Sequence, residues 1–169
     1  MSLPKKLKNY NVFGDGESFA GLATEVTLPK LTRKTEDYQA GGMSGPVASV
    51  LGLEKLEMPW KVAGFDKRLF TQWKSESVDG VLLRFAAALQ DESTAGIEAL
   101  EVVVRGVHTE LDFGIAKVGE KLETSIASAL SYYKVTLGGQ TVIEIDFVNM
   151  IEIIDGEDLA AAVRTAIGM

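Results

Sequence analysis

Residues 131–146 read SYYKVTLGGQTVIEID. Two runs rich in β-branched and aromatic residues flank Gly138-Gly139, the composition of a two-residue hairpin turn whose central residues both take positive φ. Such a turn sets Leu137 opposite Gln140, Val135 opposite Val142 and Tyr133 opposite Glu144. The other face then carries Tyr132, Lys134 and Thr136 beside Thr141, Ile143 and Ile145. Neither face is wholly apolar or wholly polar, whereas a sheet with one buried and one solvated face segregates more cleanly. The expectation is a sheet backed by its own core on one side and met by a partner or bulk solvent on the other.

The same period of two runs outward from this hairpin. In AGLATEVTL, Leu22, Thr24, Val26 and Leu28 share a face against Ala23, Glu25 and Thr27. In LEMPWKVAGF, Leu56, Met58, Trp60 and Val62 alternate with Glu57, Pro59 and Lys61, and Pro59 marks an edge or a bulge because it has no N–H to donate. GVLLRFAAAL alternates weakly, and IEALEVVVRGVH sets Leu100, Val102 and Val104 against Glu101, Val103 and Arg105. Helical spacing is confined to two places. Asp66 caps FDKRLFTQWKSES, with Leu69, Phe70 and Trp73 as its apolar stripe, and a tail helix over about 156–167 puts Leu159, Val163 and Ile167 on one side. Glu157 and Asp158 read as acids of its first turn. Both helices are expected to cover a sheet. The fold class is α+β, mainly β: an antiparallel β-sandwich or partial barrel with one or two flanking helices, in a single domain over 1–169.

Composition narrows the function classes. A chain of 169 residues, 46% hydrophobic and 24% charged, is long enough and apolar enough to bury a core. It has no cysteine, which excludes disulfides, thiolate catalysis and cysteine-bound metal. No apolar run approaches the roughly 18 residues of a membrane span, so no membrane insertion is expected. The N-terminal MSLPKKLKNYNVFGDG lacks the apolar stretch of a secretory signal, so a cytoplasmic start is expected. The net charge is −7, distributed as +1 over residues 1–40 and −8 over residues 41–169. Such a body repels nucleic acid, while its first third suits an acidic partner, a second copy of the chain included.

No motif supplies a reaction. Ser131-Tyr132-Tyr133-Lys134 spells S-x-x-K, but in a strand positions i and i+3 face opposite sides, so serine and lysine never meet. His108, the one histidine, excludes a histidine metal cluster and is read as solvated or hydrogen-bonded near a strand end. Phe13-Gly14-Asp15-Gly16 lacks the third glycine of a dinucleotide loop and reads as a turn. Glu144 and Asp146 share a strand face that could hold a hard cation in principle, but two carboxylates with no further oxygen ligands beside them read as a solvated surface. Lys5, Lys6 and Lys8, with no aromatic interleaved, read as a solvated tail. The sequence thus points to no enzyme, no cofactor and no metal site.

One stretch stays unexplained by a compact sheet. Residues 28–47, LPKLTRKTEDYQAGGMSGPV, open an excursion over about 29–55, too long for an ordinary loop and bracketed by two strands. An extended hairpin arm fits. Lys30, Arg33 and Lys34 precede Glu36 and Asp37, with Tyr38, Gly41, Gly42 and Met43 beyond them, a charge order suited to head-to-tail docking.

LPKLTRKTEDYQAGGM, together with SYYK, the E-I-D-x-x-N-M of residues 144–150, the N-terminal LPKKLKNYNVFGDG and the DG-containing terminal helix, resembles the major tail tube protein of contractile-tailed bacteriophages and R-type pyocins along the whole chain. The resemblance implies a structural protein of the virion tail, assembled in the bacterial host cytoplasm. It implies six subunits joined into a ring with one continuous barrel, rings stacked into a tube within a contractile sheath, and an arm that reaches a neighbouring subunit and the adjacent ring. It implies sheath, tape measure and baseplate proteins as partners, with DNA only as transiting, non-specific cargo. Strand acids Glu98, Glu101, Glu144 and Asp146 are the candidates for its lumen. The alternative is a monomeric small β-barrel that binds an apolar ligand.

Overall fold

The computed structural model describes residues 3–169. Along the chain run β1 (Lys5–Gly14), β2 (Glu17–Ser18), β3 (Ala23–Val26), β4 (Arg33–Tyr38), β5 (Val47–Leu53), β6 (Leu56–Glu57), β7 (Trp60–Ala63), α1 (Lys67–Trp73), β8 (Val81–Asp91), β9 (Ile97–Asp112), β10 (Glu123–Leu137), β11 (Gln140–Asp146), β12 (Ile151–Ile154), β13 (Glu157–Asp158) and α2 (Ala161–Ile167). The protein is mainly β, and every strand pairing among the described residues is antiparallel.

Gly138 and Gly139, at φ 58° and 82°, make the expected turn between β10 and β11. Leu137 faces Gln140 and Thr136 faces Thr141, but Val135 faces Ile143, so Val142 is the extra residue of a β-bulge. The bulge corrects the register read from the sequence. It turns Ile143 and Ile145 inward, opposite Val135 and Tyr133, and sends Glu144 and Asp146 outward, opposite Lys134 and Tyr132. Burying two isoleucines gains about 1.5–3 kcal/mol each. An interrupted ladder costs about one hydrogen bond, ~1 kcal/mol. The bulged register wins.

The main sheet runs in the order β13-β12-β11-β10-β9-β8-β1-β2. It does not close on itself. Its end strands have two residues each, and β2 covers only Phe13 and Gly14 of the ten-residue β1, so the rest of β1 is a free edge. β10 changes partners along its length. Its second half pairs with β11, its first half with β6 and β7, and register shifts at Ala127/Ser128 and Leu130/Tyr132 mark where it bends. At that bend Gly106 faces Leu130, and a Cβ there would lie 2.0 Å from the Ala129 carbonyl oxygen, so only glycine fits. The bend carries β7 and β3 back over the main sheet, and Phe19 meets Trp60 edge-on at 5.2 Å. Val12, Phe19, Met58, Trp60, Leu69 and Val104 fill the space between the layers with no exposure above 1%.

Several expectations change. Pro59 splits its strand into β6 and β7, yet it does not mark an edge: β7 lies between β10 and β3, and the Pro59 carbonyl accepts from Thr27 N at 2.8 Å. A register shift between Ala23 and Glu25 breaks the alternation of β3, so Ala23 and Val26 both reach the core. Lys5, Lys6 and Lys8 are not a free tail: they lie on β1, where Lys5 pairs with Glu98 and Lys6 with Glu92. Asp66 does cap α1, its Oδ1 accepting from Arg68 N at 2.8 Å. The stripe of α1 is corrected, because Leu69 and Gln72 face inward while Phe70 and Trp73 are exposed. Asp155-Gly156 is a turn, Glu157 and Asp158 form β13, and α2 begins only at Ala161. Leu159, Val163 and Ile167 remain exposed, so the apolar side of α2 is left uncovered by its own chain.

Candidate assembly surfaces

The excursion after β3 is a ribbon apart from the main sheet. Arg33 pairs with Leu53, Lys34 with Gly52, Thr35 with Val50, Glu36 with Ser49, Asp37 with Ala48 and Tyr38 with Val47. Every residue of β4 is exposed, as are all of β5 but Leu53. Lys30, Gly41 and Gly42 are exposed too, whereas Met43 is half-buried in the tip, its N–H bound to the Ala40 carbonyl at 3.2 Å. At the root, Leu31, Arg33 and Leu53 line one cavity with Ile143 and Ile154 of β11 and β12. An isolated two-stranded hairpin is marginal in water. This one also leaves Tyr38, Val47, Val50 and Leu51 more than half exposed. Such a ribbon is suited to a partner.

The outward face of the main sheet is continuous from β1 to β11. Cross-strand partners share a face. Phe13 lies opposite Arg84, Arg84 opposite Val103, Val103 opposite Lys134 and Lys134 opposite Glu144. Glu101, Glu144 and Asp146 stand on this face together with Arg84, Arg105 and Lys134, acids and bases interleaved. Glu101 accepts from Arg84 at 2.8 Å, and Glu144 accepts from the Tyr132 hydroxyl at 2.9 Å. Desolvation, then that bond and the Glu144 charge, push the Tyr132 phenol up to about 12. Asp146 is spent on the following turn, its Oδ1 accepting from Val148 N and Asn149 N at 3.0 Å each. Glu144 and Asp146 are thus held by protein donors, not arranged for a cation. Glu98 differs from the other three. It shares parity with Leu100, Val102 and Val104 on the core face, at the end where Lys5 pairs with it.

Ser131 and Lys134 lie on β10 with Tyr133 in the core between them, and Ser131 Oγ is 3.5 Å from the Arg105 carbonyl it donates to. His108 is buried, which corrects the solvated reading and keeps the hydrogen-bonded one. Its Nε2 is 2.9 Å from Gln72 Oε1 and its Nδ1 2.9 Å from Ser128 Oγ. Burial, opposed by Asp15, lowers its pKa to about 4. The neutral ring ties α1 to β10. Sequence reasoning missed a further surface. Phe65, Phe70 and Phe113 pack with ring centroids 4.8 to 5.3 Å apart, and Phe65 stays 63% exposed. Their spacing in the chain, from a loop, a helix and a strand end, carries no period that marks them as neighbours.

A ribbon without a covering, an open sheet with two free ends and an aromatic cap are features of an assembling subunit. The family model for phage tail tube protein FII matches residues 4–168. The chain belongs to that family. It is 42% identical over 172 residues to the tail tube protein of Escherichia phage P2, covering 100% of both chains. It is 38% identical over 161 residues to the major tail tube protein of Serratia phage KSP20, covering 94% of this chain and 92% of that one. Its fold is shared with the sheath/tube terminator of an extracellular contractile injection system at TM-score 0.60 and 12% identity, covering 80% of this chain and 99% of that chain. A chain of the sheath-tube complex of such a system superposes at TM-score 0.59 and 12% identity, covering 79% and 91%. Tail tube proteins are structural components of the phage tail, not enzymes.

Proposed function

We propose that this tail tube protein builds the inner tube of a contractile tail as stacked hexameric rings, with the outward face of the main sheet lining the lumen. The observation that carries the reading is the unclosed sheet. Its two edges, β12 and β13 at one end and the part of β1 that β2 leaves uncovered at the other, leave backbone donors and acceptors that adjoining copies satisfy, and joining the sheets of six copies gives a many-stranded barrel with a wide aqueous lumen. Glu101, Glu144 and Asp146 then face the lumen among Arg84, Arg105 and Lys134. A wall of interleaved charge offers DNA no net attraction, so the tube conducts without retaining its cargo. Glu98 belongs to the subunit end and not to this wall. The arm, through Lys30, Arg33, Lys34, Glu36, Asp37 and Tyr38 and the tip at Gly41, Gly42 and Met43, joins one subunit to its neighbour and one ring to the next. Sheath, tape measure and baseplate proteins are its remaining partners, and assembly takes place in the host cytoplasm. The monomeric apolar-ligand barrel is disfavoured because Trp60, Phe19 and Met58 occupy the interior such a ligand would need.

Deleting residues 30–54 tests this reading. The core lies outside the ribbon, so the shortened chain keeps its fold by circular dichroism and its cooperative melt, yet forms no tubes by negative-stain electron microscopy. Long tubes from the deletion overturn the role given to the arm.

A further inference from the structure

We infer that the distal half of the arm docks on the aromatic cap of α1 in the next copy around the ring, an inference that rests on the ring reading above. On α1 and at its C-cap, Lys67 and Lys74 flank the exposed Phe70 at i−3 and i+4, and Trp73 stands one turn along, 46% exposed. Among the described residues neither lysine has an ion-pair partner. The cap is therefore an aromatic surface with a basic rim. The arm offers the complement. Glu36 and Asp37, also without partners among the described residues, adjoin the exposed Tyr38–Val47 pair at its far end. An acidic, aromatic tip fits a basic, aromatic cap, with Tyr38 stacked against phenylalanine rings and its carboxylate neighbours on the lysines.

Topology decides which copy supplies the tip. α1 is fastened to the β1–β2 end of the sheet: Arg68 Nη1 donates to the Ser18 carbonyl at 2.7 Å, and a Cβ on Gly14 would lie 2.4 Å from Gln72 Nε2. The arm is rooted at the other end, against β11 and β12. In a ring, the β13 end of one subunit adjoins the β2 end of the next, so the arm root of one copy stands beside the cap of another. Six residues of β4 span about 20 Å at ~3.3 Å per residue, some four strand spacings, enough to cross that junction.

The test pairs charge reversals on exposed positions, where folding is little affected. Lys67→Glu with Lys74→Glu raises the protein concentration needed for ring and tube formation on the order of tenfold at low ionic strength. Adding Glu36→Lys and Asp37→Lys to the same chain restores assembly toward the wild-type concentration. Because the protein has no native cysteine, a mixture of Tyr38→Cys and Trp73→Cys chains, assembled and treated with a short bismaleimide, gives a cross-linked dimer of the two variants. If wild-type protein forms tubes, and the lysine variant does so at the same concentration with no cross-link between positions 38 and 73 in the mixture, the docking is overturned while the ring reading stands. If the wild-type protein forms neither rings nor tubes under any condition, the ring reading falls and the docking falls with it.

Discussion

His108 is the residue whose burial has the clearest consequence. Its ring is neutral in the folded subunit, with a pKa of about 4 against 6.5 in an unfolded chain. Between those values the unfolded state binds the extra proton, so stability rises with pH across the window and is lost as pH falls from about 6.5 to 4. The shift corresponds to a loss on the order of 3 kcal/mol by pH 4. Asp66, held low mainly by its hydrogen bond from Arg68, acts in a separate and more acidic range, below its unfolded value of 3.8. Replacing His108 with phenylalanine leaves Gln72 and Ser128 without their ring partner and destabilises the subunit at pH 7 by about 1–3 kcal/mol. It also removes the slope between pH 6.5 and 4, and urea midpoints at pH 4.5, 5.5 and 7 measure both effects. The burial itself was legible. Val102 and Val104 face the core, and the same parity continues through Gly106 to His108. Placing the histidine near a strand end hid this, because β9 runs four residues further, to Asp112.

Among elements, the strands were legible where alternation is unbroken and illegible where a bulge intervenes. Leu56 to Val62 and Leu100 to Arg105 face as their spacing dictates. β11 and β3 do not, because one extra residue reverses every side chain beyond it, and no residue type announces where that residue sits. The arm was legible as an excursion with hairpin flanks, since its charges and glycines exclude it from a core. The short helix α1 was legible by its cap alone. Asp66 accepts from Arg68 N and pairs with the Arg68 guanidinium at 2.6 Å, holding a helix of seven residues that is too short to persist unaided. Asp66→Ala removes both contacts and is expected to cost about 1–2 kcal/mol of stability, the partly exposed ion pair adding little to the cap. Amide exchange in residues 67–73 accelerates well before the main sheet opens. Since α1 carries Phe70, this variant loses assembly at temperatures where its sheet is still folded.

At the scale of the whole molecule, the proposed assembly has to bring together subunits of net charge −7. Hydrophobic surface on the arm, cap and α2 favours contact, while the summed acidic charge opposes it. The first forty residues carry a net of +1 against −8 for the rest, so the arm root, with Lys30, Arg33 and Lys34, is a second place, besides the lysines of the cap, where attraction between copies is available. Arg33→Glu with Lys34→Glu changes each chain by four charges, from −7 to −11. Both positions are exposed on β4, so the subunit's melting is expected to stay near that of the wild type. Assembly is expected to fail at low ionic strength, where repulsion between copies acts over about 10 Å or more. Raising the salt screens that repulsion and also weakens the wild-type attraction, so the two proteins converge: the variant gains tubes as the wild type loses some. Turbidity or sedimentation across a salt series, checked by negative-stain micrographs, reads this directly. Identical salt curves for the two proteins would show that the cationic root of the arm faces solvent in the tube, leaving the Lys67 and Lys74 contacts and the apolar surfaces to hold the copies together.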